Sequence, residues 1–244
     1  MTNPGESGVT RHNATQRDYF EARVKPTMIP SDTPYVRRHV ESVVDAARLV
    51  PGSRVLEVGC GMGRYTLLLD RLGINVEGFD LSQVLLDRLR AYAGDGAAIP
   101  LHCADVANPP EAFSGRYDAV VGFFMLHHVH DLNSCLNGIA RVLVPGGRAV
   151  FLEPNPYNPL YYAQIALTPG MTWAGDRGIV HMRRRPLGEA MRAAGLEDFT
   201  VKRFGFFPPV IANRSWGRSL ESVLERVPFW RTGLPFQVFH GRKP

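Results

Sequence analysis

Three glycines at alternate positions, Gly59, Gly61 and Gly63, follow the apolar run Val55-Leu56-Glu57-Val58, which carries an acidic residue inside it. A glycine-rich turn between a strand and a helix lets a ligand approach the backbone. It also aims the free N–H groups of the helix start at that ligand. Two residues decide the charge of the ligand. A dinucleotide fingerprint wants a third spaced Gly or Ala where this chain has Arg64, and pyrophosphate beside the Glu57 carboxylate would be repelled. A cofactor with a cationic sulfonium and an amino group would be attracted. Asp80 lies about 20 residues past the first glycine, the spacing at which an acid reaches ribose hydroxyls in doubly wound folds. Further along, Leu126-His127-His128-Val129-His130-Asp131 supplies histidines for proton transfer, and His181 is a fourth candidate base. The same cluster has metal-ligating residue types, but nothing else adds ligands at motif spacing, so no metal is expected.

These residues need a sheet to position them. The apolar pattern predicts a buried strand before Gly59 and a helix starting near Arg64. It predicts further strands over Asn75–Phe79, Ile99–Cys103 and Arg148–Leu152, the last ending at Glu153-Pro154. Val84, Leu85, Leu89 and Tyr92 recur at helical spacing behind a possible Ser82 cap, and Leu132–Leu143 reads as a helix closed by Pro145-Gly146-Gly147. Tyr117–Met125 is too continuously apolar for a half-exposed strand and suits a central parallel one. Strand alternates with helix throughout, which implies an α/β fold with a doubly wound, mostly parallel sheet. Phe199–Phe204 and Phe236–His240 would complete seven strands, the last antiparallel.

In order and spacing, five segments resemble the class I S-adenosylmethionine-dependent methyltransferases. They are Val55–Gly63, Gly78-Phe79-Asp80-Leu81-Ser82, Cys103-Ala104-Asp105-Val106, Tyr117–Val129 and Leu143–Arg148, spanning Arg54 to Glu153. The resemblance implies S-adenosylmethionine as cofactor. Glu57 and the backbone from Gly59 through Gly61 to Gly63 would hold its methionine end, with Cys60 as a small side chain beside it. Asp80 would take the ribose hydroxyls, Leu81 the adenine face, Asp105 the adenine amino group and the Val106 N–H the ring. Phe123 and Phe124 would wall the sulfonium, although strand alternation sends them to opposite faces, so that at most one touches cofactor. His127 and His128 are the catalytic candidates.

No Asp/Asn-Pro-Pro-Tyr/Phe follows the fourth strand, where enzymes that methylate adenine or glutamine amide nitrogens carry it. No RNA-binding module is visible. A small-molecule acceptor is therefore expected, and no nucleic acid. A nucleic-acid or protein methyltransferase, or a noncatalytic adenosylmethionine-binding module, is the alternative. A noncatalytic module would usually have lost the glycines or the ribose acid.

Residues 1–50 form a helical arm ahead of a methyltransferase domain at 51–244, with cap insertions at about 155–185 and 205–235. In the arm, Met1–Thr10 reads as mobile, Gln16–Val24 as a short helix and Tyr35–Leu49 as a second helix. The family resemblance makes Tyr19 a candidate lid residue. Leu187–Ala194 and Arg218–Val227 are the expected helices of the last third. Its aromatic residues suggest a pocket with apolar walls, so the substrate candidates are Tyr19, His128, Tyr161, Phe206 and Trp216.

The net formal charge is +5. Residues 1–150 carry 15 basic and 16 acidic side chains, and residues 151–244 carry 13 and 7, so the excess lies in the last third, including Arg183-Arg184-Arg185. Such a surface could face a phosphate- or carboxylate-bearing substrate, nucleic acid or an anionic membrane surface, and it suggests an acceptor with a carboxylate or phosphate beside an apolar body. Cys60, Cys103 and Cys135 are odd in number and widely spaced, which suggests neither disulfides nor a zinc site and fits a reducing cytoplasm. No targeting signal or membrane-spanning run is expected.

Changing Asp80 to Ala should weaken S-adenosylmethionine binding about ten- to hundredfold, or roughly 1.5–3 kcal/mol, through loss of a charge-assisted acceptor. Calorimetry measures this. An unchanged Kd would place the ribose elsewhere, and wild-type protein should show no binding of NAD.

Overall fold

A computed structural model describes residues 8–22, 24–94, 98–167 and 177–244. The expected α/β architecture is present. Seven strands form one sheet: β1 (Arg54–Val58), β2 (Asn75–Asp80), β3 (Leu101–Cys103), β4 (Tyr117–Phe123), β5 (Leu143–Pro154), β6 (Glu197–Phe204) and β7 (Phe236–Arg242). Their order is β3-β2-β1-β4-β5-β7-β6. The pairs among β1 to β5 are parallel, and β7 runs antiparallel to both of its neighbours. β6 therefore points the same way as the first five strands.

The central strands explain the continuous apolar runs. Val55, Leu56 and Val58 of β1 and Ala119, Val120 and Val121 of β4 have no exposed surface, because helices cover both faces. On one face α5 (Leu132–Val142) and α7 (Arg184–Ala193) bury Leu136, Ile139, Leu187 and Met191 against Leu56, Val120 and Phe151. On the other, α2 (Pro34–Ala47) and α3 (Thr66–Arg71) bury Val36, Val40, Val43 and Leu69 against Val55, Val121 and Val150. α4 (Gln83–Ala93) packs Leu86 and Leu89 beside Cys60, and the Ser82 hydroxyl caps it by accepting from the Leu85 N–H. Thr33 caps α2 in the same way, with Pro34 at its first position. Strand order reverses between β1 and β4, and the crevice at such a reversal, outside the carboxyl ends of the strands, is where doubly wound sheets bind ligands.

Several expectations need correction. α1 runs from Gly8 to Ala22, so the helix begins well before Gln16 and residues 8–10 belong to it rather than to a mobile leader. Its early residues are polar and show no apolar stripe; contacts with other elements hold them. Met1 to Ser7 lie outside the described residues. β5 starts at Leu143, which pairs with Tyr117 ahead of an irregularity. The Pro145-Gly146-Gly147 segment that reads as a stop is held by Lys243, whose carbonyl and N–H bond Gly146 and Gly147. α7 and α9 (Ser215–Leu224) both begin earlier than the apolar pattern indicates.

The long connection from Gly205 to Pro235 leaves β6 and enters β7 at the carboxyl edge. It holds α8 (Pro209–Ala212), α9 and a short turn at Pro228–Trp230. Polar anchors order it. Glu225 accepts two bonds from Arg38 of α2 and one from the Gly205 N–H, while Glu221 Oε1 accepts from the Phe206 and Phe207 N–H groups. Asn213 accepts from the Tyr35 N–H. Buried Asn155, just past β5, donates to the carbonyls of Thr232 and Leu234. α6 (Pro159–Leu167) follows it. Residues 168–176 of the first cap insertion lie outside the described residues.

Gly138 of α5 lies against the loop after β3. A Cβ there would sit 1.9 Å from the Val106 carbonyl oxygen, so only glycine lets the helix approach. Gly138→Ala should cost about 1–3 kcal/mol by overpacking. At about 2–4 °C per kcal/mol for a chain of this size, thermal unfolding should show a clear drop in Tm.

Candidate active site

The three alternate glycines all have positive φ: +69° at Gly59, +52° at Gly61 and +86° at Gly63. L side chains rarely adopt that region, so the turn needs its glycines. A Cβ on Gly59 or Gly63 would also strike Met125 or Leu89, whereas one on Gly61 would meet open space. The turn is thus packed on two sides and open above its centre. The Gly59 and Cys60 N–H groups donate to the Phe79 carbonyl at 2.8 and 3.2 Å. Asp80 Oδ2 accepts from the Gly61 N–H and Oδ1 from the Ser82 N–H, both at 2.9 Å. Asp80 therefore ties the turn to β2.

Glu57 is buried beneath this turn, and its Oε2 has no hydrogen-bond partner among the described residues. Burial pushes its carboxyl up to about 8; the Thr66 hydroxyl opposes the shift and the Asp80 carboxylate adds to it. Burial raises Asp80 too, against the backbone N–H groups that favour its charged form. An unpartnered carboxylate oxygen under an open glycine turn suits a cationic amino end, so these residues fit S-adenosylmethionine. Burial raises the Cys60 thiol, which makes it a packing side chain and not a nucleophile.

The arm crosses the carboxyl edge and touches three loops. Glu21 accepts from the Ser82 hydroxyl at 2.6 Å, Asn13 donates to Asp105 Oδ2 at 2.9 Å, and His12 Nε2 bonds the His128 carbonyl at 2.9 Å. Asp105 Oδ1 accepts from the Ala107 N–H two residues on. The arm residue that meets the histidine loop is Phe20, edge-on to the His128 ring at 5.1 Å. Tyr19, the expected lid, accepts from Lys25 Nζ and lies edge-on to Phe20. Leu81 is exposed beside Asp80, and Arg64 donates to the Ile29 carbonyl, pinning the segment after the arm to the glycine turn.

At the end of β4, Phe123 stacks on Tyr65 with ring centroids 4.1 Å apart. Phe124 has φ +54°, and this left-handed residue breaks the alternation of the strand. The expectation that the two rings face opposite sides is therefore corrected: both join the core on the α2 side. The turn that follows is organised by Glu153, which has no exposed surface. Its Oε1 accepts from the Met125 and Leu126 N–H groups at 2.9 and 2.7 Å, and its Oε2 pairs with His127 Nδ1. Sequence reading took Glu153 only as a strand end. His127 is buried, and the His128 ring centroid is 4.0 Å from that of His127. His130 and His181 are exposed.

A second missed residue is His39 of α2. Tyr35, Phe236, Phe124, Phe204 and Tyr65 surround it, with ring centroids 4.6 to 6.1 Å away. Its Nδ1 bonds the Tyr65 hydroxyl at 3.2 Å, and its Nε2 has no partner among the described residues. Burial holds its pKa at about 3, with Arg64 and Arg38 acting in the same direction, so the imidazole is neutral. The available signal was a histidine inside the apolar stripe Val36, Val40, Val43. Of the other substrate candidates, Tyr161 lies beside Tyr162 on α6, Phe206 packs on Phe207 and Trp230, and Trp216 is turned to solvent. Arg184 and Arg185 open α7 and, with Arg192 and Tyr157, line a recess of about 580 Å³ beside the edge strand β6.

Residues 35–201 match a family model described as a methyltransferase domain. The chain belongs to the class I S-adenosylmethionine-dependent methyltransferases. Among its relatives, a ubiquinone biosynthesis O-methyltransferase of Bordetella avium is 32% identical over 69% of this chain and 72% of that enzyme. The enzyme of the same name from Dechloromonas aromatica is 35% identical over 49% of this chain and 51% of that one, so the match spans about half of its length. Geranyl diphosphate C-methyltransferase from Streptomyces coelicolor A3(2) shares the fold with TM-score 0.66 at 17% identity, covering 98% of this chain and all of that one (100%). S-adenosylmethionine is the cofactor of this methyltransferase.

Glu57 provides a test with two readouts. A carboxyl raised from 4.5 to about 8 contributes stability that is fully present below pH 4.5 and is lost as the pH rises through 8. Glu57→Gln in the methyltransferase should flatten the Tm profile of the cofactor-free protein across that window. It should also weaken S-adenosylmethionine binding tenfold or more by calorimetry. An unchanged profile together with unchanged affinity would remove Glu57 from the site.

Proposed function

We propose that this methyltransferase transfers a methyl group to a hydroxyl oxygen of a small-molecule acceptor, with His127 as the general base. The observation that carries the reading is the buried pair of His127 and Glu153 at the carboxyl ends of β4 and β5. A carboxylate on Nδ1 orients the imidazole, as a base taking a hydroxyl proton requires. When bound, S-adenosylmethionine supplies a methyl group already activated on a cationic sulfur. The protein's work is then mostly alignment and exclusion of water. The glycine turn, Glu57 and Asp80 hold the donor, and the arm covers the edge through Asn13, Phe20 and Glu21. The names of the two relatives, both O-methyltransferases, support oxygen over nitrogen or carbon.

The aromatic group around His39 supports an acceptor with an apolar, planar body, for which the unpartnered His39 nitrogen offers one polar contact. The basic excess of the last third supports a carboxylate or phosphate on the same molecule.

The test feeds methyl-labelled S-adenosylmethionine and a panel of hydroxylated aromatic compounds, with and without a carboxylate, to the enzyme and identifies the product by mass spectrometry. His127→Asn should lower kcat about 10²- to 10⁴-fold, the usual contribution of a general base, and leave the cofactor Kd unchanged. Glu153→Gln should keep the turn's acceptor oxygen, lower kcat through the loosened imidazole, and leave the cofactor Kd unchanged. A product methylated on nitrogen or carbon, or full activity in His127→Asn, would overturn the proposal.

A further inference from the structure

Helix α9 is inside out. A surface helix ordinarily turns its apolar stripe to the core and its charges to water. Here the residues turned inward are Gly217 and Glu221, and the exposed ones include Trp216, Leu220 and Val223, at 60%, 44% and 57% exposure. At intervals of four and three, these three form one outward row, and Val227, past the end of the helix, is exposed as well. The row continues into the turn Pro228–Trp230, where Phe229 is 80% exposed and stands edge-on to Trp230. Val210 of α8 is exposed as well. Contiguous apolar surface of this kind marks an interaction site, not ordinary surface scatter.

The charges are sorted in the same sense. Between Gly205 and Pro235 the chain has four arginines, Arg214, Arg218, Arg226 and Arg231, and only two acids, Glu221 and Glu225. Both acids are spent inward, on Arg38 and on the N–H groups of Gly205, Phe206 and Phe207. Arg214, Arg226 and Arg231 are exposed. The outward face is therefore apolar with charge of one sign. A second copy meeting this face through two-fold symmetry would bring arginines against arginines. An anionic bilayer complements both properties: the aromatic side chains suit the headgroup level and the arginines suit its negative potential.

We propose that the outward face of α9 and the following turn docks this methyltransferase on an anionic lipid surface. The segment leaves β6 and enters β7 at the carboxyl edge, the edge that carries the glycine turn and the His127–Glu153 pair. Docking there would hold the acceptor side of the site near the bilayer. The inference does not depend on which acceptor atom is methylated.

The test is co-sedimentation of the full chain with phosphatidylcholine vesicles, with and without phosphatidylglycerol. Binding is expected only with phosphatidylglycerol, and it should weaken as salt rises. Leu220→Ser with Phe229→Ser should abolish it, and Arg226→Gln with Arg231→Gln should reduce it at least tenfold. Both variants change exposed residues and should keep the wild-type Tm and cofactor Kd. No binding at low salt, equal binding to neutral vesicles, or wild-type binding by the serine variant would overturn the proposal. So would light scattering that shows a dimer split by the serine variant, since a second copy would then cover the face.

Discussion

Glu153 has no exposed surface, yet both of its oxygens are in use: one holds two adjacent backbone N–H groups of the turn after β4, the other holds His127. Without that carboxylate the turn would bury two unpaired donors and the histidine would lose its orientation. The same device recurs along the carboxyl edge. Asp80 accepts from Gly61 and Ser82, and Glu221 accepts from Phe206 and Phe207. Asp80 and Glu153 sit at strand ends and Glu221 on α9, and each takes two N–H groups from backbone that has left the sheet. Irregular backbone can then be held near an active site without a regular element to support it.

Against this background of satisfied acids, Glu57 Oε2 and His39 Nε2 are two of nine buried side-chain polar atoms without partners among the described residues. An unsatisfied buried polar group costs about 1–3 kcal/mol. His39 bonds Tyr65, which stacks on Phe123. Departures from complete satisfaction tend to mark functional sites. In the proposed function Glu57 meets the cationic end of the cofactor and His39 the apolar part of the acceptor.

The arm and the segment from Gly205 to Pro235 are held at the carboxyl edge by different means. The arm relies on single polar side chains, Asn13 and Glu21, set against Asp105 and Ser82. The cap turns its acids inward and leaves its apolar row outside, the reverse of what a fully buried lid would need. That arrangement keeps the cap ordered through Arg38 and leaves its other face available for a surface.

The glycine turn, the acid at the end of β2, the central strands and the alternation of strand and helix were all legible in the chain. Each depends on local rules: positive φ needs glycine, a doubly covered strand is apolar throughout, and an acid follows the second strand at a set distance. The residues that only tertiary structure decided depend on partners far apart in sequence. Glu153 acquires its role from a turn 26 to 28 positions earlier, and His39 acquires its aromatic shell from β4, β6 and β7. Phe123 and Phe124 share a side because one residue takes a left-handed φ that no pattern announces. α1 extends to Gly8 although its polar residues carry no helical stripe. Trp216 faces water because Glu221, on the same helix, has N–H groups to satisfy inside. Periodicity shows which residues of a helix or strand share a face; what waits on the other side of that face is set by the packing of distant segments.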